Sequence, residues 1–256
     1  MINSPIFVQT ELGRIAVFKK EGPADTLPVI FLHGVYFDHH LWDHAIDAIQ
    51  GRTVIAWDMP LHGSSKEITK TDWTLNDCAE MLVEVLDQLN IPKVIAIGHS
   101  WGSMTILRAA DKYPNRFESA VLCNMPFQKA TPKQKWLFSL QHILLIFKGF
   151  YMSQAAKSLY AKTSLSANPQ LTKHLKRSMG SLSIKEIRYI DKTVIFNSDD
   201  ASDMLADLKI KAISINGKDD YLKPPPFIES FVIDGGHVSP LENPQEVLTL
   251  IKKFID

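Results

Sequence analysis

Short runs of consecutive apolar residues recur along the chain and predict the strands of a buried sheet. Each run stops at a turn or a polar residue, as is typical of parallel strands that are covered on both faces. The first two runs flank Leu12-Gly13 and indicate a hairpin. The predicted strands are Ile6–Thr10, Arg14–Phe18, Pro28–Leu32, Thr53–Trp57, Lys93–Ile97, Ala120–Cys123, Ile210–Ile215 and Ser230–Ile233.

Amphipathic stretches lie between these runs and predict helices. Leu75–Leu89 has apolar residues at helical spacing with acidic residues opposite, and Ser103–Tyr113 follows the fifth predicted strand. Pro244–Ile255 begins with a proline that suits the first turn of a helix. The alternation of strands and helices predicts an α/β fold with a mostly parallel, eight-stranded sheet flanked by helices.

Residues 126–196 interrupt this alternation and differ in charge. They contain twelve basic and two acidic residues, a net charge of +10, whereas the remainder contains sixteen basic and twenty-six acidic residues, a net charge of −10. We therefore predict a helical cap at 126–196, inserted after the sixth strand, and a core at 1–125 and 197–256. The predicted cap helices are Pro132–Ile146, Ser153–Thr163, Pro169–Met179 and Ile184–Thr193.

Composition narrows the class of protein. The 256 residues are 45% hydrophobic and carry no net charge, which gives no indication of a nucleic-acid partner. Cys78 and Cys123 are too few for a disulfide framework, and Met1–Pro5 lacks the features of a secretory signal. No apolar run approaches the ~18 residues of a membrane span. We expect a cytoplasmic protein without a stable membrane span.

Three motifs carry candidate chemistry. Gly98-His-Ser-Trp-Gly102 lies between a predicted strand and a predicted helix, where a sharp turn would expose the hydroxyl of Ser100. A serine becomes a strong nucleophile only when a base removes its proton. His237, in Gly-Gly-His, supplies a candidate base, and Asp219 and Asp220 supply candidate acids to orient it. The chain order is therefore serine, aspartate, histidine.

From about residue 6 to residue 255 these motifs resemble those of cap-bearing α/β-hydrolases, the esterase-like serine hydrolases. His33-Gly34, the stretch Asp58–Ser65 and Gly-Gly-His-Val-Ser-Pro-Leu-Glu-Asn-Pro contribute to the resemblance. It implies that Ser100 is the nucleophile and that His237 is the general base. It also implies an oxyanion hole formed by the backbone N–H groups of Val35 and Trp101.

The resemblance favours Asp220 over Asp219 as the acid, because the family spacing Gly-x-x-Asp, with a proline four residues after the aspartate, fits Gly217, Asp220 and Pro224. The alternative acid position of this fold, after the sixth strand, is occupied by Asn124, which cannot ionise. Three further histidines, His33, His62 and His99, are expected to have structural roles.

The chain also departs from the family pattern. Leu61 and Ser103 stand where glycine is frequent, and only sixteen residues separate Asp220 from His237. That is too few for the usual crossover helix, and Pro224-Pro-Pro226 favours an extended segment. We predict that residues 221–229 run extended and that the final strand is parallel to its neighbour. One sheet face would then be uncovered, and a homodimer contact is expected there.

The substrate pocket is predicted to be lined by Tyr36, Trp136, Leu140, Leu144 and Val238. Within Trp136–Tyr151, the side chains Leu137, Leu140, Leu144 and Phe147 recur at helical spacing, which favours a helix that packs on the core and lines an acyl pocket. A basic surface that touches anionic lipid, or that steers anionic substrates, is the alternative. His40 and His44 are four residues apart, but we interpret Asp38–His44 as a helix start rather than a metal site.

The predicted reaction is hydrolysis of a carboxylic ester or thioester, without metal or cofactor, on a small-molecule substrate; an anionic substrate is an alternative that the basic cap leaves open. Epoxide hydrolases of this fold carry aspartate where this chain has Ser100, which argues against that reaction. Two alternatives remain open. One is a cofactor-free dioxygenase or perhydrolase of the same fold, and the other is a receptor that retains the triad and binds its ligand with little turnover.

Overall fold

The computed structural model describes residues 4–255; Met1–Asn3 and Asp256, at the ends of the predicted core, lie outside the described residues. One twisted sheet forms the centre of this part of the chain. Its strands are β1 (Ile6–Gln9), β2 (Gly13–Lys20), β3 (Val29–Leu32), β4 (Val54–Trp57), β5 (Glu67–Ile68), β6 (Val94–His99), β7 (Phe117–Cys123), β8 (Lys211–Gly217) and β9 (Glu229–Ile233).

The strand order is β1-β2-β4-β3-β6-β7-β8-β9, with β5 paired to β2 at one side. The six strands from β4 to β9 along this path are parallel to one another. Strand β2 pairs antiparallel with both β1 and β4. Every residue of β3, β4 and β6 is buried, as continuous apolar runs predict. All eight predicted strands are confirmed. Strand β5 was not predicted because two residues are too few to show a pattern.

Helices fill the connections. They are α1 (Asp43–Ala48), α2 (Leu75–Gln88), α3 (Trp101–Lys112), α4 (Pro132–Gln141), α5 (Lys148–Leu159), α6 (Lys162–Ala167), α7 (Gln170–Gly180), α8 (Ile184–Ile190), α9 (Ser202–Ala206), α10 (Ser239–Glu242) and α11 (Pro244–Ile255). Helix α2 packs on α3, and α1 packs on α11. A short 3₁₀ turn, His39–Trp42, precedes α1, and the side chain of Asp38 caps it by accepting a hydrogen bond from the N–H of His40. The predicted helix start at Asp38 is confirmed.

The connection from β8 to β9 contains no helix at residues 221–228, and β9 pairs parallel with β8. The predicted absence of a crossover helix and the parallel final strand are therefore confirmed, whereas the segment is not extended throughout: it bends at 221–222 and 226–228, and Phe227 has a φ of 69°. Strand β9 forms the edge of the sheet, and the side chains of Val232 and Phe227 are exposed there. The homodimer contact on this face stays a prediction.

Helices α4 to α8 lie within the cap segment, residues 126–196, and one prediction there is wrong. None of the residues of α4 is buried, and the predicted stripe of Leu137, Leu140, Leu144 and Phe147 is exposed instead of packed on the core. The helix stops at Gln141, and the tighter 3₁₀ turn His142–Phe147 directs Leu145 inward. A change from 3.6 to 3 residues per turn shifts which positions share a face. Among residues 4–255, no helix is long and apolar enough to cross a membrane.

The close approach of α3 to the sheet predicts a difference between two glycines. A Cβ at Gly102 would lie 2.3 Å from the carbonyl oxygen of Leu32 in β3, whereas a Cβ at Gly149 in α5 would meet no heavy atom within 4 Å. Gly102→Ala should lower the free energy of unfolding by about 1–3 kcal/mol through overpacking. Gly149→Ala should raise it by about 0.5–1 kcal/mol, because alanine is the better helix former. Denaturant unfolding measures both, and equal midpoints for Gly102→Ala and the wild type would contradict the packing described.

Candidate active site

A sharp turn between β6 and α3 presents Ser100. The residue has φ 51° and ψ −112°, a conformation that L-residues rarely adopt, and it directly precedes the first residue of α3. A Cβ at Gly98 would lie 2.5 Å from the backbone nitrogen of Ser103, so only glycine permits the turn to be this tight. The strand-to-helix turn that the motif predicts is therefore present.

Ser100, His237 and Asp220 form a chain of hydrogen bonds. The Nε2 atom of His237 lies 3.0 Å from the hydroxyl oxygen of Ser100. The Nδ1 atom of His237 lies 3.1 and 3.2 Å from the two carboxylate oxygens of Asp220. The other candidate acid, Asp219, is exposed, and its backbone N–H donates to the carbonyl of Gly235. The geometry thus brings together the three residues that the resemblance implied.

The Asp220 carboxylate is held by more than the histidine. The side-chain amide of Asn124 donates to Oδ2 at 2.8 Å, and the backbone N–H of Leu222 donates to Oδ1 at 3.0 Å. Burial by itself would raise the pKa of Asp220, but His237 and these hydrogen bonds together hold the pKa below its usual value. Asp220 is therefore suited to remain ionised beside the imidazole.

Asn124 is a residue whose role the sequence did not reveal. It adopts a left-handed conformation, with φ 47°, at the end of β7. Its amide donates to Asp220 and to the carbonyl of Gly236, and its carbonyl accepts from the hydroxyl of Ser239. The side chain that stands at the alternative acid position therefore orients the acid that is present.

The loop that carries His237 is fixed from several directions. The backbone N–H of His237 donates to the carbonyl of Leu159 at 2.7 Å, and its carbonyl accepts from Nε2 of His99 at 2.8 Å. The ring of Tyr221 stacks on the imidazole, with 4.7 Å between the ring centroids. His99 is thus structural, as predicted, whereas no pattern in the sequence signals the stacking of Tyr221.

Glu242 organises the same loop with one carboxylate. Its oxygens accept from the N–H groups of Gly236 at 2.9 Å and Val238 at 3.0 Å, on the two sides of His237. They also accept from the N–H of Ala161, in the cap segment, at 2.8 Å. Backbone N–H to carboxylate bonds are among the stronger protein hydrogen bonds. The glutamate of the Gly-Gly-His-Val-Ser-Pro-Leu-Glu motif is the signal that could have identified this role.

A second loop approaches Ser100 from the end of β3. A Cβ at Gly34 would lie 3.0 Å from the Cβ of Ser100, so the absence of a side chain lets this loop come close. Val35, whose N–H the resemblance assigns to the oxyanion hole, lies on this loop between Gly34 and Tyr36. The N–H of Tyr36 donates to Nε2 of His62 at 3.0 Å. The loop that carries the candidate oxyanion residue is therefore packed closely against Ser100.

Comparison with known proteins decides the family. Residues 28–181, more than half of the chain, match the family described as alpha/beta hydrolase fold. The chain belongs to the α/β-hydrolase family. The resemblance to α/β-hydrolases and the predicted α/β-hydrolase fold are confirmed by this match and by solved structures of the same fold.

Individual relatives match over shorter segments. A haloalkane dehalogenase from Psychrobacter cryohalolentis is 35% identical over 100 residues, which cover 38% of this chain and 33% of that protein. The 3-oxoadipate enol-lactonase 1 of Acinetobacter baylyi is 28% identical over 120 residues, which cover 46% of this chain and 44% of that protein. The chain thus spans less than half the length of these curated relatives.

Solved structures match over nearly the whole chain. An esterase from Thermogutta terrifontis superimposes with a TM-score of 0.84 at 20% identity, over 99% of this chain and 98% of that chain. The carboxylesterase CesB of Bacillus subtilis superimposes with a TM-score of 0.82 at 20% identity, over 100% and 92%. At such identities the likeness shows the fold.

The predicted pocket residues of this α/β-hydrolase fall into two groups. Tyr36 and Val238 are buried beside the loops that carry the site. Trp136, Leu140 and Leu144 are exposed on the surface of the cap segment. Their part in a substrate pocket stays a prediction.

A buried polar cluster connects the cap segment to the loop after β3. The hydroxyl of Tyr36 donates to Asp191 at 2.5 Å and lies 3.4 Å from the hydroxyl of Tyr151. Asp191 also lies 2.7 Å from Nε2 of His142. Burial raises the pKa of Asp191, opposed by its hydrogen bonds with His142 and Tyr36. Since Tyr36 follows Val35 directly, the cap segment holds the residue next to the candidate oxyanion N–H.

Three buried histidines predict acid sensitivity of the hydrolase. Burial lowers the pKa of His33 and of His62 to about 4, and that of His99 to about 3. In the unfolded chain each would titrate near 6.5, so the unfolded state binds more protons below that pH. Stability should be complete above pH 6.5 and fall toward pH 4, by roughly 1 kcal/mol per pH unit for each histidine.

Denaturant unfolding at a series of pH values measures this slope. His62→Gln should reduce the slope, since it removes one of the groups whose pKa burial lowers. His44→Gln, at an exposed position, is the matched control and should leave it unchanged. A wild-type stability that is constant between pH 7 and pH 5 would contradict the assignment.

Proposed function

We propose that this protein hydrolyses a carboxylic ester or thioester through an acyl-enzyme, with Ser100 as nucleophile, His237 as general base and Asp220 as the orienting acid. The observation that carries the proposal is the 3.0 Å contact between the serine hydroxyl and Nε2 of His237, whose Nδ1 faces Asp220. A base at this distance can take the hydroxyl proton as the serine attacks.

The remaining steps follow from the same geometry. The backbone N–H groups of Val35 and Trp101 would stabilise the negative oxygen that develops when the carbonyl carbon becomes tetrahedral. Protonated His237 then gives its proton to the leaving alcohol or thiol, and its positive charge is stabilised by Asp220. A water molecule that is activated by the neutral imidazole attacks the acyl-serine and releases the acid.

The identity of the nucleophile, a serine, favours ester hydrolysis over the dehalogenation for which one relative is named. A serine that displaced halide from an alkyl carbon would form an ether, and the proposed triad has no means of hydrolysing an ether. A serine that attacks a carbonyl forms an ester, which the same triad can hydrolyse. The enol-lactonase relative is named for a cyclic ester, which supports acyl transfer.

Replacement of the nucleophile tests the proposal directly. Ser100→Ala should abolish the burst of p-nitrophenol from p-nitrophenyl acetate and lower turnover by about 10³-fold or more, because no acyl-enzyme can form. A fluorophosphonate should label the wild type at Ser100 and leave the variant unlabelled. Unfolding curves check that the variant is folded. Oxygen consumption without acylation, in contrast, would support the cofactor-free dioxygenase and reject the proposal.

The two adjacent aspartates supply a matched pair for the acid. Asp220→Asn should reduce kcat by about 10³–10⁴-fold, because an amide beside Nδ1 favours the wrong tautomer of His237 and does not stabilise its charge. Asp219→Asn changes an exposed carboxylate that does not contact His237 and should leave kcat within about twofold of the wild type. If Asp219→Asn reduces kcat more than Asp220→Asn, the assignment of the acid is wrong.

A further inference from the structure

An apolar surface on the cap segment has no partner in the described part of the chain. Eight of the ten large apolar side chains between residues 136 and 150 are exposed, and we call these eight the lid surface. The most exposed members are Trp136, Ile143, Ile146 and Phe147, each with 60–66% of its surface accessible. Single exposed apolar side chains are normal on a protein surface, but eight within fifteen consecutive residues are not, and such a concentration indicates an interaction surface.

The lid surface lies in a strongly basic setting. Residues 126–185 contain no acidic residue. Of the two acids in the cap segment, Asp191 is buried, and Glu186 accepts from the N–H of Ser183 and lies 3.8 Å from Lys66. Twelve basic side chains of the cap segment thus face two acids of the same segment, and one of the twelve, Arg177, pairs with Asp38 of the core at 3.3 Å.

A basic cavity adjoins the lid surface. Its volume is about 420 Å³, and it is lined by Lys135, His142, Arg188, Lys192, Phe196 and Asn197. Lys135 is next to Trp136 in the chain, and His142 is next to Ile143, so cavity and lid surface share one segment. Cationic side chains beside exposed apolar groups suit a ligand that is anionic at one end and apolar at the other.

We propose that the lid surface docks on an anionic lipid surface, with its apolar side chains in the acyl boundary and the basic cavity around an anionic headgroup. Basic, apolar segments that lie in the interface bind in this way, and exposed tryptophan prefers that depth. The docking does not depend on the role of Ser100. A second copy of the chain is disfavoured as the occupant, because a symmetric contact would bring two segments of charge +10 together.

Tryptophan fluorescence offers a direct test on the unmodified protein. Trp42, Trp57, Trp73 and Trp101 are buried, and Trp136 is the exposed one of the five tryptophans. Vesicles that contain phosphatidylglycerol should shift the emission to the blue, and lipids brominated on the acyl chains should quench it. Vesicles of phosphatidylcholine alone should do neither. High salt should release the protein because it screens the attraction.

Two pairs of variants separate the charge from the apolar contribution. The double variant Lys135→Gln with Lys192→Gln should weaken vesicle binding about 25-fold, because each lysine near an anionic surface contributes about fivefold. The matched control, Lys252→Gln with Lys253→Gln on α11, should leave vesicle binding unchanged. Lys148 is not used, because its ammonium group donates to the carbonyls of Gly180 and Leu182. Ile146→Ser with Phe147→Ser should abolish quenching, and Phe227→Ser with Val232→Ser, at equally exposed positions, should preserve it.

Several results would overturn the proposal. If the wild-type protein does not bind phosphatidylglycerol vesicles, or binds phosphatidylcholine vesicles equally well, it has no surface that is selective for anionic lipid. A dimer in sedimentation that Ile146→Ser with Phe147→Ser dissociates would assign the lid surface to a second copy. Because esterase activity on a water-soluble ester is measured separately, failure of docking is distinguishable from failure of the proposed hydrolysis.

Discussion

One carboxylate, that of Glu242, ties the loop of the candidate base to the cap segment. It accepts hydrogen bonds from the backbone N–H groups on both sides of His237 and from that of Ala161 in the cap segment. A histidine that is to face a serine at one nitrogen and an aspartate at the other needs a backbone that cannot rotate. Ala161 directly precedes α6, and the N–H of His237 donates to the carbonyl of Leu159 at the end of α5, so the cap segment and the base loop support one another.

The short passage from Asp220 to β9 shows how much of the hydrolase fold can be absent while this geometry remains. A parallel strand ordinarily requires a crossover of a dozen or more residues, often a helix. Here an irregular segment with three consecutive prolines makes the crossing, and β9 still pairs parallel with β8. The ends of β8 and β9 consequently meet at the same sheet edge. The absence of the helix leaves Phe227 and Val232 exposed, and it leaves the hydrogen bonds of the triad intact.

The cap segment combines two kinds of surface that serve different ends. Inward, Asp191 binds the hydroxyl of Tyr36 and so reaches the residue beside Val35. Outward, the 3₁₀ turn that carries His142 displays Ile143 and Phe147. His142 contacts Asp191 while its chain neighbour Ile143 belongs to the lid surface, so the buried cluster and the lid surface meet at this turn.

The sequence alone determined eight of the nine described strands, the three longest helices of the core and the candidate nucleophile and base. These depend on apolar periodicity and on short motifs, which are properties of neighbours along the chain. Through the resemblance it also favoured Asp220 over Asp219, on the spacing from Gly217 and to Pro224.

Only the tertiary structure decided which groups support the site and which surfaces are exposed. Asn124 is bonded to Asp220 ninety-six positions away, and Ala161 to Glu242 eighty-one positions away. The inward turn of Leu145 in place of the predicted stripe depends on where α4 gives way to a 3₁₀ turn. Spacing in the sequence cannot encode such pairings, because they are set by which strand ends and loops the completed sheet brings together.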